Sequence, residues 1–137
     1  MTAQIRVGHR SERGSTLVES ALAFTVFFMF VFGIIDMSRM VGNYNQVAHA
    51  AREAVRYAIV RGASTNSPAT QTTIANQAKT QLPGMDPASV TVTATWNPDN
   101  NPGGVVSVTV SYPYTFIAPY MPGSFTLRSR SSGYVMR

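Results

Sequence analysis

Residues 15–35 form an apolar run interrupted by one charge, Glu19. As a helix, these 21 residues reach about 30 Å, the thickness of bilayer hydrocarbon. No proline follows until Pro68, and the pattern turns amphipathic. Tyr44, Val47, Ala51, Ala54 and Ala58 recur at spacings of three and four, with Ala48 and Val55 beside them, and Asn45, His49, Arg52, Glu53 and Arg56 fall on the opposite side. The spacing predicts one continuous helix over residues 15–61, membrane-spanning and then amphipathic, with Gly62 as its C-cap. Small alanines along the inward stripe allow a second element to approach the helix backbone.

After a polar linker at residues 63–66, Ser67-Pro68 reads as an N-cap and first helical residue. Ile74, Ala78 and Leu82 then share one face of a short helix that Pro83-Gly84 terminates. From there the period becomes two. Val90, Val92, Ala94 and Trp96 alternate with polar residues over 89–96, as do Val106, Val108, Val110 and Tyr112 over 105–112. The turn formers at 97–104 join these strands as an antiparallel hairpin, with Trp96 and Tyr112 packing into the core. A third strand is expected over 125–130, after a segment at 113–123 that three prolines keep irregular. The tail from 131 extends that strand past a bulge at Gly133. The fold class is α+β: a long N-terminal helix, a short second helix and a three-stranded antiparallel sheet covered by the outer half of the long helix.

Composition narrows the setting of this 137-residue chain. It has no cysteine, which excludes disulfides, thiolate metal sites and cysteine nucleophiles. Only 12% of residues are charged and Lys79 is the one lysine, which suits an extracytoplasmic domain. The net charge of +5 invites a nucleic-acid reading. Without residues 1–14, eight basic residues face five acidic ones, a net of +3 with no concentrated basic face, so nucleic acid is not an expected partner. Arg6, Arg10 and Arg13 precede the apolar run and Arg39 and Arg52 follow it, which places the N-terminus in the cytoplasm. An ordinary secretory signal is disfavoured, because Ala21-Leu22-Ala23 lies before the apolar core and not after it.

A carboxylate inside a hydrophobic span costs about 2.5–3.5 kcal/mol at mid-bilayer, so Glu19 marks a partner or a task. It stands in the string Arg13-Gly14-Ser15-Thr16-Leu17-Val18-Glu19, which resembles a class III or type IV prepilin processing site. The segments 33–39 and 50–58, and more loosely the pattern from Val108 to the C-terminus, are similar to TadE-like proteins, minor pseudopilins of the tight-adherence (Tad, type IVc) pilus system. The resemblance implies a pilin-like fold and cleavage after Gly14 by a membrane prepilin peptidase, which makes Ser15 the new N-terminus and Glu19 the fifth mature residue. It further implies partners among the major pilin, other minor pseudopilins and the inner-membrane assembly platform, with adhesion and biofilm formation downstream. Thr25 stands where many relatives carry a proline, and Ser20 follows Glu19 where the main fibre subunit has an aromatic; the latter favours a minor component. The expected organisation is a cleaved cytoplasmic leader at 1–14, a transmembrane helix at 15–38 in the bacterial inner membrane, in contact with lipid, and an extracytoplasmic α+β domain at 39–137.

Cleavage would leave an ammonium on Ser15 to compensate the Glu19 charge, within one helix at i and i+4 or between neighbouring subunits. Arg52, Glu53 and Arg56 form either a solvated, salt-bridged face or a contact for another subunit. Asp36 and Arg39 read as an i, i+3 pair at the membrane exit. His49 lacks partners for metal binding or base catalysis, and Asp99, Asn100 and Asn101 read as turn residues. No catalytic constellation, metal site or cofactor is expected. The alternative to a pilus subunit is a membrane-anchored extracytoplasmic binding module, a tip adhesin or DNA-capture minor pilin using Arg128 and Arg130 on one strand face.

Overall fold

A computed structural model describes residues 10–121 and 123–136, with side chains from residue 14 onward. Most of the expected leader, including Arg6, lies outside the described residues. The elements are α1 (Arg10–Ile59), α2 (Gln71–Thr80), β1 (Thr91–Asn97), β2 (Val105–Thr115) and β3 (Ser124–Tyr134). The three strands form one antiparallel sheet in the order β1-β2-β3. This is the expected α+β arrangement.

No break interrupts α1. Thr25 donates its hydroxyl to the Ala21 carbonyl at 2.8 Å and Ser38 does the same to Ile34 at 2.9 Å, so both polar side chains are satisfied by the helix itself. The first part of the helix is apolar and long enough to cross a membrane, and its most apolar stretch is not buried within the protein. The second part covers the sheet. Val47, Ala50, Ala51, Ala54, Val55 and Ala58 are buried against Val92 and Ala94 of β1, Val106, Val108 and Val110 of β2, and Ile74 and Ala78 of α2. Ala50 joins the stripe, whereas Tyr44, expected in it, is exposed. Trp96 and Tyr112 pack, half-buried, at the core margin.

Four local expectations are corrected. Gly62 does not cap α1, because left-handed glycines among the described residues are Gly84, Gly103 and Gly123. The helix end is closed instead by Arg61 N–H to the Ala58 carbonyl at 3.0 Å and by Met136 N–H to the Ile59 carbonyl at 2.8 Å. Helix α2 starts three residues later than Ser67-Pro68 predicts, because Thr70 and Thr73 form a reciprocal capping box. Strand β2 continues through Pro113 to Thr115. Its pairing with β1 ends at Ser111, so beyond that point β2 has β3 on one side only and a residue lacking an N–H is tolerated.

The fourth correction is at Gly133, which carries no bulge: it pairs in register with Val106. Directly opposed residues share a face, so Ser129, Ser131 and Gly133 join Val110, Val108 and Val106 on the side facing α1. These small residues let β3 approach the helix. A Cβ on Gly133 would stand 3.1 Å from both Val55 Cγ1 and Ile59 Cγ2. At the other edge, Gln71 of α2 donates to the Val92 carbonyl and accepts from Ala94 N–H, each at 2.7 Å, covering backbone groups of edge strand β1.

Two glycine substitutions therefore have opposite expected signs. Gly133→Val overpacks the helix–sheet contact and is expected to destabilise the protein by about 1–3 kcal/mol. Gly42→Ala, where a Cβ meets nothing within 4 Å in a helix interior, is expected to stabilise it by about 0.4–1 kcal/mol. Denaturant unfolding of the full chain in detergent micelles measures both.

Candidate functional site

Asp36 lies directly after the apolar run, yet it is only 1% exposed. The segment that follows β2 buries it. One carboxylate oxygen, Oδ1, accepts the Tyr114 hydroxyl at 3.1 Å and the Ile117 N–H at 3.0 Å, and the other, Oδ2, accepts the Ala118 N–H at 2.7 Å. The Tyr114 hydroxyl also stands 3.1 Å from the Asp36 backbone carbonyl. Arg39 completes the group, 3.6 Å from Oδ1, with its guanidinium 5.7 Å from the centre of the Tyr114 ring. Phe116 meets that ring edge-on, with centroids 5.4 Å apart.

The chemistry is one of fixation. A buried carboxylate must be matched by donors, and here two loop amides and a phenol supply them. Two residues beyond Ala118, Tyr120 donates its hydroxyl to the Met29 carbonyl, and a Cβ on Gly33 would stand 3.4 Å from that hydroxyl. The loop between β2 and β3 is thus held to α1 at two levels, Asp36 and Met29. Burial, followed by the hydrogen bond to Asp36, pushes the Tyr114 phenol above its ordinary value of 10.0.

Gly14, Ser15 and Glu19 are exposed on the early turns of α1, with Ser15 and Glu19 one turn apart on the same face. Arg52 and Arg56 are exposed, Glu53 is half-buried, and Arg56 lies 3.9 Å from Glu53. His49 is exposed. Asp99 turns its carboxylate onto Asn101, accepting from its N–H at 3.0 Å and from its side-chain amide at 2.7 Å, as a turn residue does. Arg128 and Arg130 sit on the sheet face away from α1, opposite Ser111 and Thr109, and Arg130 donates to Ser107 Oγ at 3.2 Å. The Asp36–Arg39 pair exists, but sequence spacing alone missed the loop that makes Asp36 the centre of the site.

Residues 14–56 match the family model described as TadE-like protein. This segment is TadE-like. No curated protein and no solved structure matches the chain. The TadE-like region contains Gly14, Ser15, Glu19, Asp36 and the Arg52–Glu53–Arg56 group, and it ends before α2 and the sheet. It points to a protein associated with the Tad pilus. One half of the Asp36 site therefore belongs to the TadE-like segment, and the donors that satisfy it come from outside.

Two measurements check the site. Asp36→Asn replaces one acceptor oxygen with a donor facing the loop amides, a loss of about 1.5–3 kcal/mol, so Ile117 and Ala118 are expected to exchange their amide hydrogens roughly ten- to hundred-fold faster. A raised phenol pKa means that its stabilising effect is intact below the unfolded value and lost as pH rises through the folded one. Unfolding of the full chain is therefore expected to become easier above about pH 10, and Tyr114→Phe to remove that contribution to the alkaline limb.

Proposed function

We propose that this TadE-like protein is a minor pseudopilin needed for biogenesis of a Tad adhesive pilus. A prepilin peptidase removes residues 1–14 as a cytoplasmic leader. Residues 15–38 hold the mature chain in the bacterial inner membrane, and residues 39–137 stand outside, available to the major pilin, to other minor pseudopilins and to the assembly platform. The observation that carries this reading is the position of Glu19: an exposed acid in an apolar helix, one turn beyond the residue that cleavage would turn into an ammonium. In hydrocarbon neither charge is stable alone, so the pairing of acid and amine supplies a register for side-by-side helices. Arg52, Glu53 and Arg56 offer a second contact on the outer half of the same helix.

Glu19→Gln keeps the helix and removes the charge. Membrane insertion is expected to persist while piliation falls, read by fractionation and by counting fibres. Intact mass of the protein from its native membrane is expected to lack residues 1–14, and Met1 retained in fibre-competent cells would falsify the processing step. The second reading, an anchored adhesin or DNA-capture module, draws on Arg128 and Arg130 sharing the outer sheet face. It requires binding to an acidic ligand that weakens steeply with salt and with Arg128→Ala.

A further inference from the structure

Residues 100–127 contain no Asp, Glu, Lys or Arg, and the loop after β2 lies in the last part of that stretch. Ile117 is 53% exposed, Tyr120 38% and Met121 42%. Phe125, 55% exposed, pairs with Tyr114 and so shares the sheet face that looks toward α1. A water-facing loop of this kind ordinarily carries charge. The position of this one supplies another solvent, because Met29, which accepts the Tyr120 hydroxyl, lies six residues before Ile35, the last residue of the apolar run. At 1.5 Å per residue the tyrosine is anchored about 9 Å inside the end of that run.

We infer that the loop over residues 116–121 is a second membrane contact, set into the outer leaflet beside the helix with Ile117, Tyr120 and Met121 against lipid. This rests on the reading of residues 15–38 as a membrane span. The occupant follows from continuity: Tyr120 joins Met29, Phe30, Gly33, Ile34 and Met37 in lining one groove of about 610 Å3, and whatever covers those helix residues also covers the loop. A groove so apolar, open along the helix, takes acyl chain. Irregular backbone tolerates that depth only when its polar groups are matched within the protein. Asp36 accepts from Ile117 and Ala118 N–H, Met121 N–H donates to the Ala118 carbonyl, and the Tyr120 hydroxyl turns to a helix carbonyl. Tyr114, Phe116 and Arg39, next to Asp36, then lie at headgroup level, where aromatic and snorkelling side chains concentrate.

Fluorescence quenching by brominated lipid tests the assignment in the full chain, reconstituted in phosphatidylcholine vesicles. Trp96 is the one tryptophan and sits eight strand positions from Tyr114 by register, about 27 Å, so it serves as the probe outside the bilayer. Trp96→Phe supplies the background for Ile117→Trp and Met121→Trp, both at exposed positions, and for Ile34→Trp, which reports the span. The expected result is that positions 117, 121 and 34 lose most of their emission to lipids brominated toward the headgroup end of the chain, while native Trp96 keeps its own. Quenching at 34 without quenching at 117 and 121 overturns the loop assignment and leaves the span standing, whether the loop then faces water or a second copy of the chain. No quenching at any of the three positions overturns the span and the loop together.

Discussion

The carboxylate of Asp36 is the constraint on which the arrangement of helix and sheet depends. It stands where the apolar run ends, and it is removed from water by residues about eighty positions later in the chain. An ion buried in that way is tolerable only with donors at short range, and Tyr114, Ile117 and Ala118 provide them from a strand end and the loop beyond it. The contact fixes where β2 ends relative to the helix, and therefore how far along α1 the sheet sits. Tyr114 and Ala118, both in contact with Asp36, are buried outside the main core cluster.

Away from Asp36 the packing is set by small side chains. Alanines line the covered stripe of α1, and Ser129, Ser131 and Gly133 line the β3 face against it, so the two backbones come close and larger valines on β2 fill the middle. The short helix α2 completes the core with Ile74, Ala78 and the adjoining Leu82. Its first residue, Gln71, also covers the β1 edge, joining apolar burial and edge protection in one element.

Periodicity made the elements legible. The change in period from 3.6 to 2 after Gly84 separates helices from strands, and the valine alternation in β2 names the inward face correctly. What it could not reveal are contacts set by tertiary structure. Thr70 displaces Ser67 as N-cap because Thr70 and Thr73 exchange reciprocal side-chain-to-backbone bonds. Pro113 breaks a strand in a sequence rule but not at a place where β1 has already ended. Gly133 looks like a bulge until two helix side chains are found above it. Asp36 reads as half of a local ion pair, since its other partners are more than seventy residues away; the signal that was present is the long uncharged stretch ending at Arg128. The positions of Gly14, Ser15 and Glu19 came from resemblance and charge in the apolar run, and the fold of an isolated chain leaves their role to chemistry.

The tail and the loop attach the sheet to one helix at two separated points. Met136 is bonded to the Ile59 carbonyl, and the loop is bonded to Asp36. These fastenings are 23 residues apart, about 35 Å along a rod without a break. A single fastening would leave a pivot, whereas two with the packed alanine stripe between them hold one orientation, so rotating the rod about its own axis turns the sheet with it. A twist or pull on the outer face therefore acts on the same unbroken helix whose first turns carry Ser15 and Glu19.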